Sequence, residues 1–232
     1  MNAPRPPLLT LEEALSALLQ KAQLLSATEQ VDTLEADGRV LAQDLVAQLQ
    51  VPPHDNSAMD GYAVRCADVP EPGVVLQVTQ RIPAGTQGSP LQAMQAARIF
   101  TGAPIPLGAD AVVMQEDTQT PQEGQVQIQI KPTPGLAIRR SGEDITRGRQ
   151  VLAQGARLGP AELGLAASLG QDRLWVRARP KVALLTTGDE LIMPGSVAPA
   201  DMPPGAIYNS NRYFLRALLQ RMGCVVTDLG IV

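Results

Sequence analysis

Residues 54–64 read HDNSAMDGYAV, which sets Asp55, Asn56, Ser57 and Asp60 before a glycine and a short apolar run. Two carboxylates, an amide and a hydroxyl on one turn make a dense set of oxygen ligands, and crowded carboxylates repel unless a cation or a proton relieves them. Ser57 and Asp60 also fit a capping box around one helical turn, with Gly61 left-handed at its end, so a plain connection into the strand Tyr62-Ala63-Val64 stands beside the chemical reading. Thr101-Gly102-Ala103-Pro104 follows the strand-like ARIF, where the glycine admits a close ligand and the same pattern also suits a hairpin loop. Arg139-Arg140-Ser141-Gly142-Glu143-Asp144 pairs two guanidinium forks suited to phosphate with two carboxylates suited to a hard cation, or forms a solvated charged turn. Asp189 and Glu190, in Thr186-Thr187-Gly188-Asp189-Glu190, stand at the carboxyl end of an apolar strand, where α/β proteins hold ligands. Asn209-Ser210-Asn211 precedes a helix expected to begin near Arg212, as a cap and as a receiver of anions. None of these clusters sets a serine or cysteine beside a base, and no Walker-type loop is present. The implied chemistry is positioning of phosphate-bearing or oxyanion ligands around a divalent cation.

The rest of the composition narrows the classes. The 232 residues suffice for one large domain or two to three small ones, and 44% hydrophobic with 18% charged residues supports a packed core. A net charge of −4 gives no electrostatic footprint for nucleic acid. Cys66 and Cys224 are far apart with no metal-type spacing, which fits a reduced, cytoplasmic setting better than a disulfide framework. No run of about eighteen apolar residues appears, so no membrane is expected. A single histidine, His54, argues against a catalytic triad or a histidine-ligated zinc; an oxygen-bound ion, magnesium first, is the metal to expect.

The elements that must position these clusters follow from periodicity. Residues 1–8 read as a loose proline-rich start. Thr10-Leu11-Glu12-Glu13 is a capping-box pattern opening an amphipathic helix with Leu11, Ala14, Leu15, Leu18, Leu19 and Ala22 on one face. A short strand QVDTLE, a turn at Ala36-Asp37-Gly38 and a second helix over RVLAQDLVA are expected next. GVVLQVTQ, ARIF, DAVVMQE and QVQIQIKP predict a small mainly-β domain, and GPAELGLAASLG predicts a helix with Pro160 at its first position. KVALLTTG, RYFLRALLQRMG and CVVTDLGIV form a strand–helix–strand unit, and the lack of alternation in CVVTDLGIV predicts a strand buried on both faces. The expected fold is multidomain α+β and α/β: a helical domain (1–46 and 140–179) interrupted by a mainly-β insertion (47–139), followed by a partial parallel α/β (βαβ) domain (180–232).

In order, VPPHDNSAMDGYAV, RIFTGAPIPLGADAVV, IRRSGEDI, TTGDELIMPG and IYNSN resemble the MoeA-type molybdopterin molybdenumtransferases, from about residue 10 to the end; gephyrin carries a similar domain. The resemblance implies insertion of molybdate into adenylylated molybdopterin with release of AMP, assisted by magnesium, in elongated homodimers supplied by an upstream molybdopterin adenylyltransferase. By position it ties Asp60, Thr101, Asp144 and Glu190 to catalysis, with Asp189 beside the last. Taken with the anion-binding reading of the other clusters, Asp189, Ser210, Asn211 and Arg140 are expected to bind the pterin nucleotide, and Asp189 with Glu190 the metal. The segment 180–232 becomes the start of the molybdopterin-binding domain. His54 stands where the family has an aromatic residue and Phe100 where methionine is common. The family continues beyond the α/β start found here, so the chain is expected to be truncated within the third domain and inactive alone. The alternative is a non-catalytic scaffold, or a pterin-binding or dimerisation fragment.

Overall fold

A computed structural model describes residues 9–232; the proline-rich start at residues 1–8 lies outside the described residues. The chain enters helix α1 (Leu11–Lys21), then strands β1 (Thr28–Asp32), β2 (Leu45–Val46), β3 (Asn56–Ser57), β4 (Gly61–Val64), β5 (Val75–Ile82) and β6 (Gln95–Ile99). It continues through β7 (Ala111–Met114), β8 (Thr118–Gln119), β9 (Gln125–Ile128), β10 (Ile138–Arg139) and β11 (Gln150–Leu152) to helix α2 (Pro160–Ser168). β12 (Arg173–Arg177), β13 (Lys181–Thr186), β14 (Leu191–Ile192), β15 (Ile207–Tyr208), helix α3 (Ser210–Arg221) and β16 (Val225–Ile231) complete it. Two compact units divide the chain: one of residues 1–43, 154–163 and 172–232, the other of 44–153 and 164–171.

The second unit is built on a six-stranded sheet in the order β7-β4-β6-β5-β9-β8. β5 and β6 run parallel and the other neighbours antiparallel. Because successive side chains point to opposite faces, Val64 and Val113 join one buried cluster with Leu76 and Ile128, while Ala63 and Val112 join another with Ile82 and Ile99. Leu76 and Ile82 would share a face in a regular strand; a bulge between Val78 and Gln80 sends them to opposite ones. Each such fully buried side chain contributes about 1.5–3 kcal/mol of apolar burial.

In the first unit β1 pairs antiparallel with β12, and β13 pairs in parallel with β16, with α3 as the crossover between them. β14 and β15 make a short parallel pair. The capping box of α1 forms: Thr10 Oγ1 accepts from the Glu13 N–H, and the Glu13 carboxylate accepts from the Thr10 N–H. No helix among the described residues is long and apolar enough to cross a membrane.

The expected fold class is overturned. The chain is mostly β, with three short helices among the described residues, and there is no helical domain for a β domain to interrupt. RVLAQDLVA does not coil. Val40 and Leu41 bridge Arg157 and Val176, Leu45–Val46 is β2, paired with β11, and the N–H groups of Leu41, Ala42 and Ala47 donate to Ala156, Trp175 and Arg149. β-branched Val40 and Val46, with Asp44 between them, favour the pleated alternative once those partners exist. Helix α1 buries none of its residues, so it supports no helical core. Nor is β16 buried on both faces: its residues alternate exposed and half-buried, as in a two-stranded sheet with a helix packed against it.

Candidate functional site

The stretch around Asp60 is not a helical turn. Asn56–Ser57 is a strand paired with Ile138–Arg139, and on its other side the Ser57 N–H donates to the Ala103 carbonyl at 2.9 Å while the Gly102 N–H donates to the Ser57 carbonyl at 2.8 Å. Ser57 is 1% exposed, and its hydroxyl donates to the Met59 carbonyl at 2.6 Å, which folds the backbone back at Asp60. Gly61 opens β4 without a left-handed conformation. A glycine is required there for space: a Cβ would lie 2.0 Å from the Val113 carbonyl oxygen of β7.

This weave brings three of the sequence clusters together. The Thr101 N–H and hydroxyl both donate to Asp60 Oδ1, at 2.8 and 2.7 Å, and with the nearby positive charge of Arg98 they hold the Asp60 carboxyl below the usual carboxylate range. Asp60 is exposed, and its other oxygen accepts no hydrogen bond among the described residues. Asp55 accepts from the Ser141 N–H at 2.8 Å and from the Arg140 guanidinium, and these two donors, in that order, lower its carboxyl also. Arg139 pairs with Asp144, and Glu143 accepts from the Arg140 N–H. The Arg139–Asp144 turn is therefore closed on itself and on Asp55, with both guanidiniums paired to carboxylates. Asn56 Oδ1 is buried with no hydrogen-bond partner, the only such side-chain atom among the described residues. A cavity of about 470 Å³ opens beside this weave, lined by His54, Asp55, Gly85, Thr86, Gly102 and Ile105 among others.

Asp189, Glu190, Ser210 and Asn211 lie in the other unit. The helix begins at Ser210, two residues before the expected start, with Asn209 as its cap. Asn209 is 2% exposed; its Oδ1 accepts from the Arg212 N–H and its amide donates to Thr186 Oγ1 at 2.8 Å. It thus ties the end of β13 to the start of α3. Ser210 and Asn211, the residues singled out from sequence, point from the first turn as exposed groups, and the structural joint falls on Asn209. Asp189 and Glu190 are exposed, and neither carboxylate has a hydrogen-bond or ion-pair partner among the described residues, although β14–β15 pairing fixes the Glu190 backbone. Arg212 also pairs with Asp228 at 2.9 Å and lowers its carboxyl, a contact sequence reading missed. The signal was there: Asp228 is the one charge in the apolar run CVVTDLGIV.

Among the described residues, no three acidic, histidine or cysteine side chains converge to cage a metal. A magnesium ion needs no such cage, since it binds through one or two carboxylates with substrate phosphates and water completing the octahedron. The unpartnered pair Asp189 and Glu190 fits that donor set.

The family model for the MoeA N-terminal region (domain I and II) matches residues 9–170. The molybdopterin molybdenumtransferase of Haemophilus influenzae is 40% identical over 229 residues, covering 97% of this chain and 55% of its own. Molybdopterin molybdenumtransferase 2 of Mycobacterium tuberculosis is 45% identical over 201 residues, covering 84% and 48% respectively. The chain spans about half the length of the curated relatives it matches. A crystal structure of a molybdopterin biosynthesis MoeA protein from Pyrococcus horikoshii OT3 superposes with a TM-score of 0.87 at 32% identity, over 95% of this chain and 59% of that one.

Proposed function

The chain belongs to the MoeA N-terminal family, and we propose from that premise that it supplies part of a molybdenum-inserting site. The reaction is insertion of molybdate into the dithiolene of adenylylated molybdopterin, with release of AMP, for molybdenum cofactor biosynthesis. The observation that carries this reading is the Asp60–Thr101 clasp. An exposed carboxylate is fixed by two donors and kept ionised, with one oxygen left for a ligand. A group oriented in advance costs no reorganisation when the substrate arrives, which is how a site stabilises developing charge. Asp60 and Thr101 would orient the substrate, and Arg139–Asp144 with Arg140–Asp55 would stiffen the wall beside them. Asp189 and Glu190 would hold magnesium, whose charge offsets that of the substrate phosphates. Ser210 and Asn211, on the first turn of α3, would face the nucleotide, where helix N–H groups favour anions.

The homodimer, the adenylyltransferase upstream and a cytoplasmic setting belong to the same reading. In its support, α1 presents Leu11, Leu15, Leu18 and Leu19 to solvent, a stripe that a second copy would cover. Sedimentation of the full-length protein as a monomer would count against that part.

The test uses the full-length protein in cells lacking the insertase. Asp60→Ala and Glu190→Ala should each lower cofactor formation by roughly 100-fold or more, with melting temperatures near the parent's. Retained cofactor formation in both variants defeats the reading.

A further inference from the structure

We infer that Arg81, Arg98 and Phe100 form a shelf for a tetrahedral oxyanion on the six-stranded sheet, next to the Asp60–Thr101 clasp. The parallel register of β5 and β6 sets Arg81 opposite Arg98. Like charges directly opposite on a sheet destabilise it, so the placement asks for something to offset it. Phe100 supplies part: both guanidiniums lie over its ring, at 4.4 Å for Arg81 and 4.7 Å for Arg98, and Arg98 is also 5.2 Å from the Tyr62 ring. The rings offset some of that charge but do not engage the in-plane N–H groups, which are wholly free on Arg81 and partly free on Arg98.

Neither guanidinium of this pair has a carboxylate partner among the described residues, although five other arginines do. Arg39, Arg65, Arg139, Arg140 and Arg212 each reach a carboxylate. Arg98 reaches none within ion-pair distance; it donates to the Gly61 carbonyl at 3.0 Å and to Gln115 Oε1 at 2.6 Å, which aims it. Arg81 is exposed and, among the described residues, has neither an acceptor nor a carboxylate partner. Of the nearby acids, Glu116 accepts from the Gln115 amide, and Asp60, held through one oxygen by Thr101, feels the charge of Arg98 without forming an ion pair with it. One fork satisfies a flat carboxylate; two forks on neighbouring strands, stacked on one ring, suit the several edges of a phosphate or molybdate. Phe100 and Thr101 are consecutive, so an anion held there stands beside the carboxylate proposed to orient substrate. The shelf deepens the reading above by assigning residues to its oxyanion substrate, but its test does not depend on that reaction.

The protein is titrated separately with sodium phosphate, sodium molybdate and AMP at ionic strength held constant with sodium chloride, while the arginine Nε–H and Thr101 amide signals are followed by proton–nitrogen NMR. A saturable movement of the Arg81 and Arg98 signals is expected in at least one arm, and binding in Arg81→Gln should be roughly tenfold weaker. Arg81 is exposed and among the described residues makes no hydrogen bond, so the variant removes only its contact with the Phe100 ring, and an unchanged melting temperature confirms that the fold is kept. Tightest binding of molybdate assigns the shelf to the inorganic substrate; tightest binding of AMP assigns it to the nucleotide phosphate. No saturable movement in any arm, or equal binding by Arg81→Gln and parent, overturns the proposal. Loss of cofactor formation in Asp60→Ala without anion binding at the shelf would leave the functional reading intact and remove this one. Anion binding with full cofactor formation in both Asp60→Ala and Glu190→Ala would do the reverse.

Discussion

Around Asp55 and Asp60 each carboxylate is gripped by the protein's own donors, Ser141 and Arg140 on one, Thr101 twice on the other. Around Asp189 and Glu190, in the other unit, the backbone is fixed by β14–β15 and by the buried Asn209 joint, but the carboxylates are held by nothing among the described residues. The residue types match; the construction differs. A carboxylate already bonded within the protein is preorganised, and its free energy depends on neighbours that can be mutated. An unpartnered one is available to a cation or a ligand and carries little of the fold. Glycines mark the same contrast. Gly61 is wedged against the backbone of a neighbouring strand, whereas Gly188 faces only the tip of the Glu190 side chain.

The largest effect should therefore come from Gly61→Ala. The added methyl meets the Val113 carbonyl at 2.0 Å, so β7 must shift or β4 must leave its register. A loss of about 3 kcal/mol or more is expected, since neither backbone can yield cheaply. Chemical denaturation measures it, and a loss below 1 kcal/mol would show that the sheet edge is softer than its hydrogen bonds suggest.

Next is Asn209→Ala, which removes the cap on α3 and the bond to Thr186 together from a buried position. About 1–3 kcal/mol is expected. Asn209→Asp should recover part of it, because the cap acceptor remains. Recovery to the level of the parent would mean that the Thr186 bond contributes nothing.

A smaller effect should appear on acidification. Asp55 has its carboxyl lowered by Ser141 and Arg140, so its contribution is full above the ordinary carboxylate range and is lost as pH falls through the lower folded value. Below about pH 5 stability should therefore fall as the pH is lowered, with a steeper slope in the parent than in Asp55→Asn. Equal slopes would show that the Arg139–Asp144 turn is not fastened by that carboxylate.

How far this was legible differs by level. The motifs themselves were readable, because Asp60, Thr101, Arg140 and Asp144 sit at glycine-rich breaks in apolar strands, and the strands QVTQ, ARI and AVVM fall within the short β-rich segments expected to form them. The capping box at Thr10 was local chemistry and formed. RVLAQDLVA failed for a non-local reason: its helical spacing is weak beside the partners offered by residues 149–157 and 175–176, which no window of sequence around it contains. The same holds for Ser57, whose S-x-x-D spacing suggested a cap until strands from residues 103 and 138 claimed its backbone. The arginine shelf was invisible in sequence, because Arg81 and Arg98 become neighbours only through the parallel register of β5 and β6.

The smallest effect tests the open side of the comparison most sharply. Glu190→Ala removes an exposed side chain without a partner, so stability should change by no more than about 0.5 kcal/mol. Gly188→Ala is different. Its φ of +148° disfavours any side chain, and its Cβ would meet the Glu190 carboxylate at 2.6 Å, for an expected cost of about 1–2 kcal/mol. Only the contact part of that cost depends on Glu190. In the double variant the contact vanishes and the backbone cost stays, so any cost of that contact would show as damage smaller than the sum of the two alone. A coupling near zero would mean that the Glu190 side chain swings clear at no cost, the behaviour of a carboxylate free to turn toward a ligand. A coupling of about 1 kcal/mol would mean that Gly188 was keeping space for a carboxylate folded over its own turn. The free-swinging outcome is expected, because nothing among the described residues holds that side chain where it lies.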